Sequence, residues 1–181
     1  MRTARIRQVK REIRVLGIAV KPSLDGDRFN AVGVVFRGGL WLDGVMRTTA
    51  SGPDITDSIV EMITASPHHP QIRVLMLHDN LIEGGASVDP YRLSTGTSRP
   101  VVVLSADEAG PAAPEVHPDV AAERFELKLE GGTFAVLSIG LRSRDAARVL
   151  EVSTRGGVVP EALRVAGLVA SAVAACPEQN V

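Results

Sequence analysis

The chain has 181 residues, 45% hydrophobic and 23% charged, with a formal net charge of −1. That length suits one domain with a substantial core, and the near-zero charge excludes a molecule-wide positive field, leaving only local patches to attract nucleic acid. Only 3% is aromatic and Cys176 is the single cysteine, which argues against an aromatic base-stacking platform and excludes an internal disulfide or multi-cysteine zinc site.

Residues 1–11, with Arg2, Arg5, Arg7, Lys10 and Arg11, read as a basic arm that lacks the apolar segment of a secretory signal; residues 12–181 read as one domain. The apolar run Ile13–Val20 predicts a first strand, followed by a Pro/Gly loop carrying Asp25 and Asp27. Around Gly38-Gly39, two strands form a hairpin: Ala31–Phe36 is nearly all apolar and reads as buried on both faces. Leu40–Thr48 carries Asp43, Arg47 and Thr48, as suits a sheet edge. Three sequential strands therefore open the fold as a meander.

Asp54 is placed to cap a helix whose Ile55, Ile59, Met62 and Ile63 share one face and which Pro67 ends. Ile72–Leu77 is a buried strand reached through that helix, so it pairs in parallel with an earlier strand, and His78-Asp79-Asn80 form its polar tip. A weak helix or turn over 87–96 precedes a strand at Val101–Leu104. Beyond a Pro-rich segment (106–119), a short helix over Val120–Arg124 is expected, then a hairpin of Phe125–Glu130 and Thr133–Ile139. Ser143 begins a helix to about Ser153, and Pro160 opens a last helix reaching Ala175. That helix is apolar or small almost all round, which predicts packing on nearly every side and a buried Cys176. Its apolar stretch Val165–Cys176 is too short to span a bilayer, so the chain reads as cytoplasmic and free of membrane.

Two stretches carry a family resemblance: Gly33-Val34-Val35-Phe36-Arg37-Gly38-Gly39-Leu40-Trp41-Leu42-Asp43-Gly44-Val45-Met46-Arg47-Thr48, and Ser153-Thr154-Arg155-Gly156 with Pro160-Glu161 and Leu163-Arg164-Val165-Ala166. They resemble the archaeal endonuclease dU family, long catalogued as a domain of unknown function and related to endonuclease V. The resemblance implies an α/β fold of ribonuclease-H-like type: a mixed sheet, antiparallel meander plus parallel strands, with helices on its faces. It also implies Mg-dependent phosphodiester cleavage near deaminated bases, the cation being held by carboxylates at one sheet edge.

Three positions depart from that pattern. Where the family resembles Gly-Ile-Asp-Asp-Gly, this chain has Gly17-Ile18-Ala19-Val20, and Ala and Val cannot ligate a cation. Where the family resembles Met-Leu-Asp-Gly-Ile, the chain has Met76-Leu77-His78-Asp79-Asn80, so either His78 replaces the acid or Asp79 carries it one residue later. On the last helix, Gly167 stands where the family resembles histidine. The candidate catalytic residues are therefore Asp79, His78, Asp25 and Asp27, with Asp79 and Asp27 as the metal ligands of a weakened or absent Mg site. Ser153, Thr154, Arg155 and Gly156 are the phosphate-binding candidates, since amides, hydroxyls and a guanidinium near a helix start suit a phosphate; a glycine helix stop explains the same residues structurally.

The expected function is a divergent member binding DNA, RNA or a nucleotide through a degraded nuclease site. One alternative is an active Mg-dependent endonuclease rebuilt from Asp25 or Asp27, Asp79 and either Asp54 or Asp57. The other is a structural or protein-interaction domain without ligand.

Overall fold

The structure, a computed structural model, describes residues 9–24, 26, 28–107, 109–111 and 120–176. Asp25, Asp27, residues 1–8 of the basic arm and residues 112–119 of the Pro-rich segment lie outside the described residues.

Strand β2 (Arg28–Arg37) is buried over Phe29–Phe36, which its unbroken apolar run requires. It lies between β1 (Arg14–Pro22) and β3 (Trp41–Ser51), antiparallel to both. On its other side β1 pairs in parallel with β4 (Val74–His78), and β4 pairs in parallel with β5 (Val101–Ser105). The hairpin of β6 (Ala122–Leu129) and β7 (Gly132–Ile139) completes the sheet in the order β3-β2-β1-β4-β5-β7-β6. Helices α1 (Thr56–Thr64) and α2 (Pro90–Thr97) cross from strand to strand on one face; α3 (Ser143–Ser153) and α4 (Glu161–Ala175) cover the other.

The period of two along each strand sorts the core into two layers. Val15, Ala19, Val34 and Met76 meet Leu150, Leu163 and Ala166 on the α3/α4 face. Leu16, Ile18, Val35 and Leu75 meet Ile59, Ile63 and Leu93 on the α1/α2 face.

Several local expectations need correction. Residues 120–124 are not helical: Ala122 already pairs with Ile139, so the edge strand β6 begins there. The hairpin turn takes three residues, not two, and positive φ is needed only at Gly38 (φ 57°), where a Cβ would meet the Arg11 carbonyl oxygen. Beyond the turn, Asp43 is the extra residue of a β-bulge between the Phe36↔Leu42 and Val35↔Gly44 pairs. It binds Arg37 Nη2 (2.7 Å) and Arg14 Nε (2.8 Å), and the hydrogen bond from Arg37 holds its carboxyl below the usual range. Helix α1 stops at Thr64, before Pro67, while Asp54 does accept the Thr56 N–H at 3.1 Å. The Ser143 side chain does not cap α3; the Ser143 N–H donates to Glu123 Oε2 on β6 at 2.7 Å, so a neighbouring strand supplies the acceptor.

The last helix is not enclosed. Its buried stripe is Ala162, Leu163, Ala166 and Ala170, while Leu168 on the outer side is 60% exposed. Cys176 caps the helix and is exposed, contrary to expectation. Small side chains explain the one-sided burial: they let α4 lie close to the sheet without needing a second layer above it. The closest approach is at Gly17, where a Cβ would sit 2.3 Å from the Ala162 carbonyl carbon and 2.6 Å from the Leu163 nitrogen. Those are backbone atoms, so a methyl there must lift the helix. Gly17→Ala should therefore cost about 1–3 kcal/mol, the scale of overpacking in a close-packed core, read as a lower urea midpoint. An unchanged midpoint would show that α4 does not rest on β1 in this way.

Candidate functional site at the ends of β1 and β4

The parallel ladder of β1 with β4 runs from Val15↔Val74 to Gly17↔Met76, and beyond it Ala19 and His78 continue their strands on the face of Val15 and Met76. Ala19 belongs to the core layer under α4, and the His78 ring meets Phe134 of that layer edge-on with centroids 5.9 Å apart. Val20 points into the opposite layer, which contains Ile18 and Leu77. So of the two positions matching the family's paired aspartates, only Ala19 shares a face with His78.

Between His78 and Asp79, the position on the strand belongs to His78. It is the last residue of β4 and is 5% exposed, whereas Asp79 starts a 3₁₀ turn (Asp79–Leu81) and is exposed. The backbone N–H of Asn80 donates to His78 Nδ1 at 3.1 Å. A neutral ring accepting at Nδ1 carries its proton on Nε2 and is a donor there. Burial pushes the His78 pKa below its ordinary value, with Asp79 pulling the other way.

In front of His78 lies a cleft of about 370 Å³, floored by the ends of β1 and β4 and walled by α4. Lys21, His78, Asn80 and Leu81 line one side; Val159, Arg164, Gly167, Leu168 and Ser171 line the other. Both cations have carboxylate partners. Lys21 Nζ binds Glu83 Oε1, and Arg164 donates from Nε (3.0 Å) and Nη2 (2.7 Å) to Glu161 Oε2. A Cβ on Gly167 would lie 2.9 Å from Leu81 Cδ2, so Leu81 closes over the position where the family resembles histidine.

Other candidates stand elsewhere. Asp54 and Asp57 both bind Arg92, at 2.6 and 2.7 Å, beside α1 on the opposite face of the sheet, and so do not join this cleft. Ser153 ends α3 and Thr154, Arg155 and Gly156 follow it beneath the Gly38-Gly39 turn, where Arg155 Cβ and the Ser153 carbonyl crowd Gly39. That turn is at the Arg14 end of β1, five residues or roughly 16 Å from the Ala19 level. Ser153 is fully buried with an unpartnered hydroxyl, while Arg155 and Gly156 are exposed. His68 packs its ring over Gly44, and His69 bonds the Thr97 carbonyl at 2.9 Å, so both have structural roles.

Sequence reasoning missed Lys21, Arg164 and Leu81. Lys21 directly follows the departed acidic pair, and Arg164 sits inside the motif already quoted, so a signal existed for those two. Among the described residues, the donors that meet here do not fit the implied Mg. Two are cations, the imidazole Nδ1 is occupied by an N–H, and no group of three His, Cys, Asp or Glu able to hold an ion occurs among the described residues.

The histidine gives this site a pH signature. An unfolded imidazole takes up a proton near its ordinary 6.5, while the folded one resists until lower pH. The unfolded state therefore binds more protons in that window, and stability is full above about 6.5 and falls as pH drops through the folded pKa. Denaturation midpoints at descending pH should show this loss, and His78→Gln should remove the component due to this group. The two faces also separate the aspartate replacements. Val20→Asp should cost about 3–5 kcal/mol as an uncompensated buried charge. Ala19→Asp instead gains a protonatable neighbour and should raise the His78 pKa, read from its ring proton shifts.

Comparison with known proteins agrees with this architecture. Residues 11–113 match the family described as endonuclease dU. A UPF0215 protein of Methanothermobacter thermautotrophicus is 37% identical over 96% of this chain and 93% of its own length. A protein of unknown function from Archaeoglobus fulgidus superposes with a TM-score of 0.67 and 27% identity, covering 88% of this chain and 97% of that one. Endonuclease V from Bacillus subtilis gives a TM-score of 0.62 at 10% identity over 88% of this chain and 80% of that one. Endonuclease V from Ciona intestinalis, solved with a 24mer DNA containing an inosine followed by a ribo-adenosine, gives 0.62 at 12% over 88% and 84%. The fold is thus ribonuclease-H-like, as the mixed sheet suggests, and this chain belongs to the endonuclease dU family.

Proposed function

We propose that this chain is a nucleic-acid-binding member of the family that has lost metal-dependent strand cleavage. The observation that carries the reading is that the uncharged Ala19 and the buried His78 stand on the α4 face near the ends of β1 and β4, with burial lowering the His78 pKa. A hydrolytic Mg site works by placing carboxylates where they hold the ion and lower the pKa of its water, and substituting an uncharged residue for one weakens both effects at the same step. The relationship to endonuclease V, one member of which is solved on DNA, supports retention of the binding surface. Arg155 and the basic residues 1–11 are the phosphate contacts of this reading, the exposed Arg155 lying beyond the far end of β1 from His78.

A second reading, an active Mg-dependent endonuclease rebuilt from Asp25 or Asp27 with Asp79, draws support from the exposure of Asp79 at this same strand end. Labelled uracil- or inosine-containing DNA and RNA strands, incubated with the protein and Mg or Mn, decide between the two. The expected result is little or no cleavage, with binding that weakens as salt rises. Arg155→Gln should reduce the salt slope by about one. Robust cutting by the wild type, abolished by Asp25→Ala, Asp27→Ala or Asp79→Ala, would establish the rebuilt nuclease, whereas no binding at any salt would leave a purely structural role.

A further inference from the structure

We propose that the cleft between β4 and α4 holds one nucleotide unit directly, with no divalent cation, through Lys21, His78 and Arg164 and an aliphatic wall. The inference rests on the nucleic-acid-binding reading and adds to it the place, the ligand unit and independence from metal.

The cleft's volume of about 370 Å³ lies within the range of ligand sites and is ample for a base with its sugar. Its apolar wall consists of Leu81, Val159 and Leu168, a surface against which a base or ribose can be desolvated without aromatic stacking. The neutral His78, fixed by the Asn80 N–H on Nδ1, presents an Nε2–H donor, which suits a carbonyl, hydroxyl or phosphate oxygen and cannot be offered to a cation.

Lys21 and Arg164 lie on opposite sides and keep donors to spare. Glu83 accepts from one of the three Lys21 ammonium protons, and Glu161 accepts from Nε and Nη2 of Arg164, leaving Nη1. A phosphate bound between them acquires charge-assisted hydrogen bonds of the kind a metal would otherwise mediate. The carboxylate partners orient both side chains, and they keep the cleft from being a bare positive cluster that would attract any anion. Selection then requires both parts of the ligand, the apolar body and the phosphate.

Calorimetric titration of the full chain in EDTA tests this, with adenosine and uridine 5′-monophosphates, the two nucleosides and inorganic phosphate as separate probes. At least one monophosphate should bind, with its nucleoside and phosphate each weaker by about tenfold or more, and added Mg should leave the affinity unchanged. Lys21→Gln and Arg164→Gln should each weaken the monophosphate by about tenfold, the scale of one charged hydrogen bond. Leu168→Glu, at an exposed position that folding tolerates, should weaken it too by opposing the phosphate with a like charge.

Binding that appears only with Mg, or is indifferent to all three substitutions, would overturn the proposal. Oligonucleotide binding that persists while no monophosphate binds would refute the cleft and leave the nucleic-acid reading standing. Monophosphate binding without oligonucleotide binding would do the reverse.

Discussion

The absence of a side chain at Gly17 sets the position of α4, and much else follows from it. With backbone lying on backbone there, the helix comes down over β1 at Ala162, and the small residues Ala166 and Ala170 keep it low along the same stripe. That path carries Arg164, Gly167 and Leu168 across the ends of β1 and β4. At Gly167 the missing side chain lets Leu81 close against the helix, and the cleft opens beside that contact. Since dense interiors transmit displacement rather than absorb it, the wall of the site and the packing of the core form one mechanical unit.

Most of the fold was legible because its signals are local and repeated. Seven strands fall where apolar runs and Gly turns place them, and burial on both faces of β2 follows from the composition of Ala31–Phe36 alone. Illegible parts depended on partners distant in sequence. Residues 120–124 look helical in isolation, and from Ala122 they become strand because β7 offers a ladder back to Ile139. Ser143 looks like a cap, but Glu123 arrives from another strand and takes its N–H. For α4, composition predicts burial all round, yet hydropathy cannot say how many neighbours exist, and the sheet supplies only one side.

The site was legible as a set of departures and not as an arrangement. Ala19, His78 and Gly167 were each identifiable from the motifs, and the structure brings the neighbourhoods of all three to one cleft. What pattern could not supply was the face. Ala19 and Val20 are equivalent in a sequence comparison, but the strand's period of two sends one to the core layer under α4 and the other to the opposite layer. The same limitation applied to Asp54 and Asp57, which look available until Arg92 on α2 is seen to engage both.

Charge arrangement has consequences for how such a cleft works. The whole chain is nearly neutral, and each cleft cation carries a carboxylate partner, so long-range attraction toward polyanions is weak. On the proposed reading, recognition comes from short-range contacts made after arrival, with a buried imidazole donor and an aliphatic wall discriminating by shape and hydrogen bonding. A carboxylate-and-metal site does the opposite, concentrating charge of both signs at one point and drawing in any phosphate that can reach the ion. Exchanging an acid for Ala19 beside His78 lowers the local charge density, and the exchange is self-consistent only because His78 is buried and neutral. A protonated imidazole there, enclosed by Phe134 and lacking a carboxylate on Ala19, would be an ion with poor solvation.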